Sequence, residues 1–306
     1  MPVINKDGQR TQTLGEVLGG VGRAMRPRQW VKNVLVVAAP LATLGGTVSY
    51  DYVKVCGAAA VAFVVFSLAA SAIYLVNDAR DVDADRAHPT KRFRPIAAGV
   101  LTPTTAYLVA VALSVASLGI SMAVSPSLVV VVSVYLVVQL AYCLGLKHQV
   151  VLDICIVSSA YLLRAVAGGA ATGIPLSQWF LLVMAFASMF MVAGKRYAEL
   201  KLAERTGAKI RRALEHYTQT YLRFVWTLSA AAVVVFYGLW AFERDGHRGL
   251  WFTVSMIPVI FAILRYAVDV DAGEAGEPEE IVLGDRVLQL LGAAWIAIVA
   301  LGIVLA

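Results

Sequence analysis

Apolar runs of about 18 to 25 residues recur along the whole chain, and each is long enough to cross the ~30 Å hydrocarbon core of a bilayer as an α-helix. That feature excludes most soluble architectures. Composition agrees: of 306 residues, 59% are apolar and 15% charged, against about 25% charged in soluble domains. Length alone would suggest two soluble domains, but hydropathy overrides it, and one membrane domain over 1–306 is the simpler reading. Nine spans are expected, near 31–48, 53–76, 103–123, 127–145, 150–172, 177–194, 221–242, 250–268 and 286–306. The expected fold class is therefore all-α and polytopic.

Charge sets the expected orientation. Lys and Arg crowd an N-terminal arm (Arg23, Arg26, Arg28, Lys32), the segment from Arg80 to Arg94 after the second span, and the segment from Lys195 to Arg212 after the sixth. The intervening loops hold little beyond Lys54, Arg244 and Arg248. The positive-inside rule then places the N-terminus (arm 1–28) and the loops about 77–102 and 195–220 in the cytosol, and the C-terminus outside. The net charge of +6 follows from topology and gives no reason to expect nucleic acid. The first twenty residues lack an apolar core, so no cleavable signal peptide is expected.

Other residue classes point to packing or anchoring. Cys56, Cys143 and Cys155 fall inside apolar runs without CxxC spacing and read as packing residues. The four histidines are scattered, which argues against a histidine metal centre. Trp179, Trp240 and Trp251 at outer ends and Trp30 and Trp226 at inner ones suit headgroup anchors. The acidic 270–285 loop reads as a solvated connector, and a basic helical segment over 201–218 as either a headgroup-bound helix or a solvated cap.

The informative stretch is Asn77-Asp78-Ala79-Arg80-Asp81-Val82-Asp83-Ala84-Asp85, at the cytosolic end of the second span. On a continuing helix Asn77, Asp81 and Asp85 line one face with Asp78 beside them, and Asp83 points elsewhere. Like charges one turn apart repel, so a counter-cation is expected. Hard oxygens together with a substrate phosphate are how magnesium is held. The alternative is a helix end whose acids pair with Arg80, Arg86, Lys91 and Arg92. Arg164 in mid-span needs an anionic partner, since such a charge normally faces a bundle interior or a wet cavity. Asp153, eleven residues earlier and nearly in phase, is its structural candidate.

At this point the chain resembles the UbiA superfamily of intramembrane prenyltransferases, whose first acidic motif is NDxxDxxxD; here it reads NDARDVDAD. RPRQWVKN (Arg26 to Asn33), KRFRPIAAG (Lys91 to Gly99), LKHQVVLD (Leu146 to Asp153) and Arg164 match further family positions. Where a second acidic motif is expected the chain reads GKRYAEL, with Lys195, Arg196, Tyr197 and Glu199, which puts a second metal site in doubt.

The resemblance implies helices around a central cavity open to the cytosol. The wording of GKRYAEL, FRPIAAG and RPRQWVKNVLV looks closest to the branch that makes the arabinan precursor lipid of actinobacterial cell walls. That branch moves 5-phosphoribose from phosphoribosyl diphosphate (PRPP) to decaprenyl phosphate. The implied cofactor is Mg²⁺, held by Asn77, Asp78, Asp81 and Asp85, with Asn77, Asp81 and Asp85 as the catalytic face. Lys32, Tyr74, Lys91, Lys147 and Arg164 are implied to bind PRPP, and Lys147, Arg164, Lys195, Arg196 and Tyr197 the lipid phosphate. Membrane lipids are partners, and a homo-oligomer is left open. The alternative within the superfamily is transfer of a polyprenyl group from its diphosphate to an aromatic or quinone-precursor acceptor.

Overall fold

The computed structural model describes residues 13–42, 50–206, 214–243, 246–274, 281–282 and 284–305. Among them no strand occurs and helices dominate. Helix α1 is Leu14–Ala24; a 3-10 arm, Pro27–Val37, leads to the short α2, Ala38–Ala42. Next come α3 (Tyr52–Arg80), α4 (Val82–Arg86), α5 (Pro103–Val124), α6 (Pro126–Leu144) and α7 (Leu152–Thr172). The chain continues through α8 (Gln178–Thr206), α9 (Gln219–Phe242), α10 (Gly246–Val254), α11 (Met256–Ala272) and α12 (Arg286–Val304).

Starts are written into the sequence. Asp51, Thr102, Ser125, Thr218 and Asp285 each turn a side-chain oxygen onto a backbone N–H of the first turn that follows. Pro103 and Pro126 occupy first helical positions, where a missing N–H costs nothing.

Eight helices among the described residues are long and apolar enough to cross a membrane, α10 and α11 supplying one span, Gly249–Ala272. They match eight of the nine expected spans. The chain is an integral, multi-pass membrane protein. Burial separates the helices: 61% of the apolar window of α3 and 56% of that of α7 is enclosed, against 17% for α5 and 11% for α12. The functional face must therefore be sought on α3 and α7.

The first expected span, near 31–48, is not an α-helix over its described part, and residues 43–49 lie outside the described residues. A 3-10 helix repeats every three residues, so Trp30, Asn33 and Val36 share one face, and Asn33 and Val36 are fully buried. Side-chain bonds hold this uncommonly long 3-10 run. Trp30 Nε1 donates to Ser71 Oγ at 3.1 Å and Asn33 Nδ2 to Ser67 Oγ at 3.0 Å, the two serines being one turn apart on α3. The arm starts where Arg26 meets Asp78, near the end of α3, and runs to Ala39, which packs with Val55 near its beginning. At Gly168 a Cβ would stand 1.9 Å from Val36 O, so α7 and the arm touch backbone to backbone.

Trp30 thus ties the arm to α3, and Trp226 packs against the rings of Phe190 and Tyr197, so two of the five expected headgroup anchors are half-buried and bound to neighbouring elements. The expected basic segment 201–218 is helical through Thr206, residues 207–213 lie outside the described residues, and Leu214 and Tyr217 return into the core. In the expected solvated connector 270–285, Asp271 accepts from Arg223 and Asp285 caps α12, while 275–280 and 283 lie outside the described residues.

Candidate active site

The α3 helix ends at Arg80, and Asp81 sits at φ −94°, ψ 14° before α4 begins. The i to i+4 ladder nevertheless continues across the break, Asp81 N–H donating to Asn77 O at 3.0 Å and Asp85 N–H to Asp81 O at 2.8 Å. Asn77, Asp81 and Asp85 therefore stay one turn apart along the chain, but their side chains find separate partners. Asp81 Oδ1 takes Lys147 Nζ at 2.5 Å, and Asn77 Oδ1 accepts the Cys143 thiol at 3.9 Å. Asp78, 2% exposed, holds Arg26 at 2.5 Å and Arg94 at 3.1 Å through the same Oδ1. Arg94 also reaches buried Asp85 Oδ2 at 2.6 Å. Asp83 is exposed and pairs with Arg86 at 3.3 Å.

The counter-cations of buried Asp78 and Asp85 are thus Arg26 and Arg94, and that of half-buried Asp81 is Lys147. Of the local set Arg80, Arg86, Lys91 and Arg92, Arg86 pairs with the exposed acid Asp83. Arg26 and Arg94 were not singled out from sequence, although both stand inside the quoted motifs; only the fold brings Arg26 across 52 positions to Asp78. Cys143, read as packing, touches the first residue of the acidic motif.

Arg164 is 4% exposed on α7. Its Nε donates to Asn33 Oδ1 at 2.7 Å and its Nη1 to Ala160 O at 2.5 Å, while the rings of Tyr135, Phe66 and Tyr161 stand 5.4 to 5.9 Å from its guanidinium carbon. No described carboxylate forms an ion pair with it. The expected partner Asp153 lies eleven residues away, about 16 Å along the helix axis. Asp153 instead receives Arg196 on both oxygens, at 2.9 and 3.0 Å, and the Tyr142 hydroxyl at 2.8 Å.

Arg164 is therefore a buried cation balanced by an amide, a carbonyl and aromatic faces, an arrangement that favours an incoming anion. Lys32 lies over the Tyr161 ring at 5.9 Å, the same ring that Arg164 approaches. Tyr74 lies under the Arg26 guanidinium at 4.9 Å, beside the Asp78 cluster. Lys91 is half-buried in the 3-10 turn Lys91–Phe93.

The segment in place of a second acidic motif behaves differently from a phosphate-capturing mouth. Arg196 is buried and committed to Asp153 and Glu199, and Tyr197 is fully buried with its hydroxyl bonded to Arg223 and Asp271. Lys195, the residue before Arg196, is half-buried. Successive residues of a helix point about 100° apart, so Arg196 turns to α7 and Tyr197 to α9 and α11.

The donor set suits magnesium in part. Its ion pairs engage one oxygen each of Asp78, Asp81 and Asp85. No group of three or more His, Cys, Asp or Glu is placed to hold a metal among the described residues. Magnesium, however, is commonly held by one or two carboxylates plus substrate phosphates, and Asp81, a third exposed, pairs with Lys147 through one oxygen.

The model of the UbiA prenyltransferase family matches residues 34–284. The chain belongs to the UbiA prenyltransferase family. A family member from Mycobacterium tuberculosis, named decaprenyl-phosphate phosphoribosyltransferase, is 71% identical over 289 residues, covering 94% of this chain and 96% of its own. One of the same name from Mycolicibacterium smegmatis is 64% identical over 296 residues, 94% and 93% of the two chains. Among solved structures, a UbiA homolog from Archaeoglobus fulgidus bound to GPP and Mg2+ superposes at a TM-score of 0.69 with 15% identity, over 94% of this chain and 100% of that one. That likeness extends the family's fold to this chain.

Proposed function

We propose that this membrane protein transfers 5-phosphoribose from PRPP to decaprenyl phosphate and releases diphosphate. The observation that carries the proposal is the 71% identity, over nearly the whole of both chains, to a protein named for that transfer. The geometry supports it: a buried Arg164 that no described carboxylate pairs with and a Lys147–Asp81 pair suit a reaction in which every substrate is a phosphate.

Asn77 and Asp81 would hold Mg²⁺ against the donor diphosphate, with Asp78 and Asp85, locked by Arg26 and Arg94, keeping the helix end in place. When bound, the metal neutralises charge on the leaving diphosphate. Lys147, Arg164, Lys32, Lys91 and Tyr74 supply hydrogen bonds to the diphosphate and the 5-phosphate, and Lys195 serves the lipid phosphate. Arg164 is best suited to a fixed phosphate contact, since Asn33 and Ala160 already set the plane of its guanidinium. Arg196 and Tyr197 leave the substrate-binding set: their bonds run to Asp153, Arg223 and Asp271.

Glycosyl transfer passes through an oxocarbenium-like state at C1, and attack from the face opposite the leaving group inverts that centre. A phosphate monoester has a second pKa of about 6, so the lipid phosphate is an anionic nucleophile at neutral pH. It needs no protein base. An aromatic acceptor would require one. The orientation that fits is N-terminus and phosphate-binding end in the cytosol, C-terminus outside, with the lipid head approaching from the cytosolic leaflet.

The test is diphosphate release by purified protein given labelled PRPP and decaprenyl phosphate, with and without chelator, beside Asp81→Asn. A labelled lipid is expected only from the metal-replete parent, with at least a roughly hundredfold loss for the variant. Release from a polyprenyl diphosphate plus an aromatic acceptor, and none from PRPP, would favour prenyl transfer instead.

A further inference from the structure

The connection between α6 and α7, which carries Lys147, contains the most unusual backbone among the described residues. Val151 sits at φ 72°, ψ −53°. A β-branched side chain is a rare occupant of positive φ. The turn closes with Leu152 N–H donating to Val150 O at 2.9 Å, a three-residue γ-turn of the strained, positive-φ kind. Such a conformation persists only where its surroundings over-determine it.

Two ties do so here. Tyr142, in the last turn of α6, donates to Asp153 in the first turn of α7, and Arg196 grips both oxygens of that carboxylate from α8. The ends of the connection are thereby pinned. Val151 O accepts from Cys155 N–H at 2.9 Å inside α7, and the side chain that holds the strained residue is that of Tyr217, whose hydroxyl accepts from Val151 N–H at 3.2 Å. Tyr217 comes from the segment before α9, is 5% exposed and stacks on Tyr221 with ring centroids 5.9 Å apart. Burial pushes its phenol up to about 12, so the hydroxyl stays protonated at neutral pH.

From Val151 back to Lys147 the chain is stiff. Asp153 N–H donates to Gln149 O, Gln149 N–H to Leu146 O and His148 N–H to Gly145 O, each at 3.0 Å. A shift at the γ-turn is passed to the 3-10 turn Leu146–His148 and so to the lysine that reaches Asp81 at 2.5 Å.

We propose that Tyr217 is a positioning residue for the transfer: by holding the Val151 amide it sets the turn that presents Lys147 to Asp81 and to the donor diphosphate. This rests on the reading of Lys147 as a diphosphate ligand. Nothing in the sequence marks Tyr217, which lies 70 positions from Lys147 and meets the site only through a backbone N–H.

The experiment uses the full chain in detergent, with diphosphate release measured while PRPP is varied at fixed decaprenyl phosphate. Tyr217→Phe, which removes the hydroxyl and keeps the ring, is expected to raise KM for PRPP roughly fivefold, the effect of one ordinary hydrogen bond, and to change kcat less. In a Lys147→Ala background the same substitution should add nothing further. Val151→Gly should restore the KM of Tyr217→Phe, because glycine takes positive φ unaided. The inference is overturned if Tyr217→Phe keeps the parental KM, if its effect adds in full to that of Lys147→Ala, or if Val151→Gly leaves the deficit untouched. An unchanged KM in Lys147→Ala alone would bring down the assignment of Lys147, and the positioning role with it.

Discussion

Replacing Gly168 by alanine tests whether the 3-10 arm, by lying on α7, orients the buried arginine. The added methyl would stand 1.9 Å from Val36 O, 2.8 Å from its carbonyl carbon and 3.1 Å from its Cα. All three are backbone atoms, so no rotamer change relieves the clash. Restoring ordinary contact at 3.4 Å moves the arm back by about 1.5 Å, the difference between 3.4 and 1.9 Å. Val36 lies one 3-10 turn beyond Asn33, and Arg164 one α-turn before Gly168. The same displacement therefore falls on the Arg164–Asn33 bond of 2.7 Å and stretches it beyond hydrogen-bonding range. A hydrogen bond to a charged group contributes about 1.5–3 kcal/mol, which at 1.4 kcal/mol per decade is a roughly 10- to 150-fold loss of kcat/KM. The assay is diphosphate release from PRPP in detergent, with thermal unfolding followed in parallel. Gly119→Ala, where a Cβ meets nothing within 4 Å, serves as the control and should retain activity. Full turnover by Gly168→Ala, with the melt unchanged, would refute the coupling of arm to arginine.

Arg196→Leu should lower stability by about 3–5 kcal/mol, because it strands a buried carboxylate, and Arg196→Leu with Asp153→Leu should recover much of that in the same melt. An equal loss in both would argue against the ion pair as the cause. Ser67→Ala removes the acceptor that fixes the Asn33 amide and should cost kcat/KM roughly fivefold, the effect of a hydrogen bond of about 1 kcal/mol. Unaltered kinetics would show that Arg164 holds Asn33 without help from α3.

The α-helical spans were legible because length and hydropathy are local properties, and eight of them overlap the expected runs, although α8 continues to Thr206 where an end near 194 was expected. The arm was not, because VKNVLVVAAPLA is as apolar as its neighbours and only a spacing of three, Trp30 to Asn33 to Val36, separates it from a membrane α-helix. The acidic motif was equally plain, but its partners are matters of tertiary structure. Arg26 is 52 positions from Asp78, and Lys147 66 from Asp81. The proposed Arg164–Asp153 pair failed on distance: helical phase put both on one face, and axial rise kept them apart. Lys195, Arg196 and Tyr197 looked like one basic mouth because they are consecutive, yet helical rotation sends Arg196 and Tyr197 to different neighbours.

The three cationic side chains among the acids bear on how the protein is made. Arg26, Arg94 and Lys147 already offset Asp78, Asp85 and Asp81, so electrostatic repulsion within that cluster is relieved by the polypeptide itself. Folding of the bundle then calls on no divalent ion to balance these three carboxylates.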